Sequence, residues 1–129
     1  MAEQKKILIV DDDKDFVGSL RAILEANDYA VVAAHDGAAG LQMAEKEQPD
    51  LMILDVMMAT KDEGFEVSRK VQQNPALKGL PIILVTGVTK DLGISYGFEP
   101  DESWLPVKSI MEKPVDPEKL LAEIEKRLA

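Results

Sequence analysis

The chain contains no cysteine, so disulfides and thiolate metal sites are not available to it. That fits a reducing compartment, and a cytoplasmic location is the expectation. No apolar run approaches the ~18 residues that a membrane helix needs, so no membrane association is expected. The opening "MAEQKK" passes straight into a strand-like run, without a signal-peptide pattern. Positive charge is scarce. Fifteen Lys and Arg face 24 Asp and Glu, for a formal net charge of −9. That balance argues against nucleic acid gripped through its phosphates, and is compatible with cationic partners and a divalent metal. Repeats and low-complexity tracts are also missing. What is present is 129 residues, 46% of them hydrophobic. This is enough for one domain whose core buries roughly two-thirds of the unfolded surface.

Five strand-like segments alternate with helix-like ones. "KILIV" (6–10), "YAVVAA" (29–34), "LMILDV" (51–56), "PIILVT" (81–86) and "SIME" (109–112) read as strands. Between the first two, Phe16, Val17, Leu20, Ile23 and Leu24 form a helical stripe over 14–26, with Asp13 or Asp15 available as its cap. Gly18 weakens that helix slightly. Residues 37–48 and 65–73 read as further helices, the first ended by Pro49. The chain closes with a helix over 116–129, with Asp116 at the cap and Pro117 at the first helical position. This alternation, with near-continuous apolar strands, implies a parallel sheet covered by helices on both faces. The fourth crossover, 87–108, lacks a 3.6-residue period, so its helix is expected to be shortened or irregular.

In a parallel sheet the residues that follow each strand meet along one edge, where open α/β sheets bind ligands. Here these are Asp11, Asp12 and Asp13 after the first strand, Asp55 in the third, Thr86 after the fourth and Lys113 after the fifth. Two carboxylates ~4 Å apart repel by about 4 kcal/mol at an effective dielectric of ~20. Either one of them is protonated or a cation sits among them. An all-oxygen site suits a hard ion, and Mg²⁺ is the natural choice. Such a site favours a phosphoryl group, with metal and ammonium neutralising its oxygens and a carboxylate as nucleophile. A single Asp after a strand is ordinarily a helix cap, which suffices for Asp13 and Asp15 but not for the set as a whole. His35 reads as an exposed loop residue, and the side chains of Met57 and Met58 as local packing.

These residues resemble the receiver domain of two-component response regulators, and the resemblance covers essentially the whole chain. It rests on "ILIVDDD", "LMILDVMM", "PIILVTG" and "MEKPVDPEKLL" in order and at suitable spacing. The resemblance implies a flavodoxin-like α/β fold, a doubly wound five-stranded parallel sheet with strand order 2-1-3-4-5. It implies that Asp55 accepts a phosphoryl group from a sensor histidine kinase or phosphotransfer protein. It further implies that Asp11, Asp12, Asp55 and the backbone carbonyl of Met57 hold Mg²⁺, with Asp12 a more direct ligand than Asp11. Thr86 and Lys113 would bind the phosphoryl oxygens, and the bond before Pro114 would be cis.

The sequence departs from the family pattern at several points. Ala59 stands where a proline is usual, and the loop around it is one residue longer than common. Gly87 replaces the commoner alanine. Ile110 occupies the place of the family's aromatic switch residue, so no ring there can move with Thr86. The crossover 87–108 is several residues longer than usual and carries Tyr96, Phe98 and Trp104 among Glu99, Asp101 and Glu102. It is expected to form a partner-reading surface; the plainer alternative is an insertion with Trp104 packed on the core. Met57 and Val88 flank the path of attacking water in this family. Both are apolar here, so slow loss of the phosphoryl group is expected.

The reading is therefore a phosphorylation-dependent signalling switch rather than an enzyme, one receiver domain over 1–129 without an output domain. Its partners would be the phosphoryl donor and a downstream target protein, and the chain itself a monomer or weak dimer. The alternative is a degenerate receiver that serves as a phosphorylation-independent interaction module. An aspartate-based phosphatase is a third reading, but it typically wants a second acid two residues past the nucleophile, where Met57 stands.

Overall fold

The computed structural model describes residues 4–55, 63–77, 79–86, 109–112 and 115–128; residues 63–65, 86, 109, 110 and 112 are placed by their backbone. The elements are β1 (Lys6–Val10), α1 (Lys14–Ala26), β2 (Ala30–Ala34), α2 (Gly37–Glu47), β3 (Leu51–Asp55), α3 (Glu63–Gln73), β4 (Ile82–Thr86), β5 (Ser109–Glu112) and α4 (Pro117–Leu128). The strands form one parallel sheet in the order β2-β1-β3-β4-β5, the flavodoxin-like arrangement that the sequence implied. The crossover 87–108, with its expected irregular helix, lies outside the described residues.

Side chains alternate across a strand, so a strand buried on both sides feeds two cores. On one face Ile7, Ile9, Leu51, Ile53, Ile83 and Val85 meet Val17, Leu20 and Leu24 of α1 and Leu120 and Ile124 of α4. On the other, Leu8, Val10, Met52, Leu54, Ile82 and Leu84 meet Ala44 of α2 and Val67 and Val71 of α3. Burying each Leu, Ile or Val side chain contributes about 1.5–3 kcal/mol, which explains why the strand runs carry so little polar character. Helix α2 packs tightly on β1 at Gly40. A Cβ placed on Gly40 would stand 2.9 Å from both γ-carbons of Val10.

Local chemistry sets the helix ends. Asp13 caps α1, its Oδ1 accepting from the N–H groups of Asp15 and Phe16 at 3.1 Å each. This decides between the two candidate caps: Asp15 lies inside the first turn. Asp36 caps α2 through the Ala39 N–H at 2.7 Å, and Asp116 caps α4 through the Glu118 N–H at 2.9 Å. Helix α2 stops at Glu47, one residue earlier than its pattern implied, because Gln48 turns left-handed (φ 49°) and returns its N–H to Ala44. Helix α3 starts two residues earlier than its apolar spacing indicated, on Glu63 and Gly64, which carry no apolar signal.

At the sheet's outer margin, Arg21 reaches from α1 to β2. Its Nη2 donates to the Val31 carbonyl at 3.1 Å, and its Nε pairs with Glu25 at 3.5 Å. The Ala30 N–H donates to Lys5 and the Asp11 N–H to Ala34, so the backbone N–H and C=O groups of residues 30, 32 and 34 point to β1 while those of Val31 and Ala33 point away from it.

Candidate functional site

The sheet register brings the chemistry together at the carboxyl end of the strands. Val10 pairs with Leu54, so Asp11 and Asp55 come next on adjacent strands. Asp55 pairs in turn with Val85, and Thr86 with Glu112, so the backbone of Thr86 reaches the same edge. Asp11 is 1% exposed and Asp55 5%, while Asp12 is exposed. One carboxylate oxygen from each of Asp11, Asp12 and Asp55 lies within 4.8 Å of the others.

Asp11 is held from several sides. Its N–H donates to the Ala34 carbonyl at 3.0 Å, and its Oδ1 accepts the Asp13 N–H at 2.9 Å. The Nδ1 of His35 lies 3.0 Å from its backbone carbonyl oxygen. The sequence placed His35 in an exposed loop, and the ring is exposed; its contact with Asp11 went unread. The only available signal was that this lone histidine directly precedes the capping Asp36.

Three carboxylates this close repel by about 3–4 kcal/mol per charged pair at an effective dielectric of ~20, less where exposed Asp12 is screened. Two features offset that cost. The N-terminus of α1 begins at this turn and presents the positive end of its dipole. The three oxygens also make a donor set suited to a hard dication such as Mg²⁺, which accepts one or more carboxylates and keeps waters for its remaining positions. The fit is chemical: every donor is a carboxylate oxygen, and two of the three carboxylates are already withdrawn from water.

The cluster unites three of the residues singled out from the sequence. The side chains of Thr86 and Ile110, and Met57, Lys113 and Pro114 entirely, lie outside the described residues. A shallow cavity of about 240 Å³, lined among others by Asp50, Leu77 and Pro81, sits at the opposite, amino end of the strands, away from the carboxylates.

Comparison with known proteins agrees with this geometry. The family model described as the response regulator receiver domain matches residues 7–125. Protein PilH of Pseudomonas aeruginosa is 34% identical over 127 residues, which span 96% of this chain and 98% of PilH. The alkaline phosphatase synthesis transcriptional regulatory protein PhoP of Bacillus subtilis is 36% identical over 120 residues. That match takes in 93% of this chain but only 47% of PhoP, so the chain spans about half of that relative's length. Among solved structures, a CheY-like response regulator receiver domain protein from Methanospirillum hungatei superposes with a TM-score of 0.81 at 31% identity, covering 98% of this chain and 94% of that one. Sheet order and sequence pattern thus agree over nearly the same span, and the chain belongs to the response regulator receiver domain family.

Proposed function

We propose that this receiver domain works as a phosphorylation-dependent switch in which Asp55 takes the phosphoryl group. The observation that supports this most directly is the buried Asp55 carboxylate at the end of β3, beside those of Asp11 and Asp12. The donor would be the phosphohistidine of a sensor kinase or phosphotransfer protein. An Asp55 oxygen forms a bond to phosphorus as the P–N bond breaks, and the imidazole nitrogen keeps the electron pair and takes up a proton. Asp11, Asp12 and Asp55, with the Met57 carbonyl, would hold Mg²⁺. When bound, that ion draws negative charge off the phosphoryl oxygens and the clustered carboxylates. Thr86 and Lys113 would pair with the remaining oxygens, as the resemblance implies.

The new group adds about −1.5 to −2 charges at the edge of the sheet. That charge changes which partner surface is favoured, provided the two states lie within a few kcal/mol of each other. The domain would act in the cytoplasm, through a downstream protein partner. Among the described residues no helix is long and apolar enough to cross a membrane.

The test is incubation with a small phosphodonor and Mg²⁺, followed by intact-mass spectrometry. Wild type should gain one phosphoryl group, and should fail to do so as Asp55→Asn or with the metal chelated. No modification of wild type would favour the interaction-module reading instead. Rapid catalytic consumption of the donor, with release of phosphate, would favour the phosphatase.

A further inference from the structure

The switch proposed above leaves the one histidine without a task. His35 lies between β2 and α2, and its Nδ1 is 3.0 Å from the carbonyl oxygen of Asp11, 24 residues earlier in the chain. A carbonyl oxygen has no hydrogen to give, so Nδ1 carries the proton and donates it. The position of this bond in the ladder is informative. Along β1 the carbonyls that accept from β2 follow the alternation begun by Lys5, and the next in that series is Asp11. Strand β2 ends at Ala34. The imidazole therefore adds a rung to the ladder beyond the end of the strand.

That rung bears on the acidic cluster. Asp11 and Asp55 are buried, so packing restrains them. Asp12 is exposed, and its direction depends on the peptide that delivers it. A peptide group is planar, so fixing the Asp11 carbonyl fixes the Asp12 N–H and the path of the chain into Asp12. The Asp11 N–H is tied to Ala34 and its carbonyl to His35, two consecutive residues at the end of β2. The ring itself does not belong to the carboxylate cluster.

We propose that His35 is a positioning residue for the cation site: its Nδ1–H holds the Asp11 carbonyl and so aims Asp12 at the position shared with Asp11 and Asp55. This rests on reading the cluster as a Mg²⁺ site. Losing a hydrogen bond of ordinary net strength should weaken Mg²⁺ binding about three- to tenfold.

The experiment is a calorimetric Mg²⁺ titration of wild type and variants, above the pH range in which histidine titrates. His35→Ala should bind about three- to tenfold more weakly. His35→Asn sets an amide nitrogen where Nδ1 stood and should return to within about twofold of wild type. His35→Gln carries its amide one bond further out and should not recover. A general structural defect would not separate Asn from Gln. Long-range ¹⁵N–¹H NMR of the wild-type ring should show the proton on Nδ1. A proton on Nε2, or a His35→Ala protein that binds Mg²⁺ like wild type, overturns the role of His35 while leaving the cation site standing. If wild type and Asp12→Asn alike fail to bind Mg²⁺, the cation site itself falls, and the role of His35 with it.

Discussion

Asp12 is the exposed member of the carboxylate group, and that makes it the most useful residue to change. Replacing it with asparagine removes one repelling charge and keeps the shape. In the absence of divalent cations Asp12→Asn should melt about 2–4 °C above wild type, a modest gain because the charge is partly screened. Adding Mg²⁺ should reverse the order, since wild type gains stability in proportion to the logarithm of bound-ligand excess and the variant gains little. Thermal melts with chelator and with Mg²⁺ check both halves; parallel responses would mean that Asp12 holds no ion. A second residue-scale test concerns Tyr29, which packs on the face shared with α1 and α4. Burial, and then the nearby Glu125 carboxylate, raise its phenol pKa above the ordinary 10.0. The folded state thus keeps this proton more tightly than the unfolded state does. The associated stability is complete below 10.0 and is lost as pH rises through that value toward the folded pKa. Tyr29→Phe has no such loss. Urea midpoints measured across this alkaline range should shift in the variant's favour, and a constant gap between the two proteins would refute the assignment.

At the level of elements, two glycines in helices lead to opposite expectations. Gly18 sits on the exposed side of α1, and nothing lies within 4 Å of where its Cβ would be. Gly18→Ala should stabilise the fold by about 0.5–1 kcal/mol, through helix propensity alone. Gly40 faces Val10, whose branched side chain is fully buried and has nowhere to retreat. Gly40→Ala should cost about 1–3 kcal/mol through overpacking, since α2 must lift away from β1. Chemical denaturation of the two variants side by side decides the matter, and equal effects would show that packing against Val10 is looser than it looks. The caps show why helix starts were readable from sequence to within a residue or two. Asp116, and Asp13 as one of two candidates, were legible as caps and Asp36 was not, whereas α3 begins on residues that carry no apolar signal, and its start was placed late.

On the scale of the whole molecule, parallel topology does most of the assembly. Once the alternation of strands and helices was recognised, the carboxyl edge followed, and with it the meeting of Asp11, Asp12 and Asp55. The strand runs were legible because burial on both faces leaves no room for polar residues at 7–10 or 51–54. The tether from His35 was not, because a side chain that bonds to a backbone carbonyl 24 residues away leaves no periodicity or spacing in the sequence. The same topology leaves β2 bonded on one side only, with the backbone groups of Val31 and Ala33 pointing away from β1. Arg21 occupies one of the vacant acceptors there and plants a cation beside it. A foreign β-segment approaching that flank must first dislodge a guanidinium from its carbonyl and then tolerate its charge, so the flank is protected against templated growth from one molecule to the next.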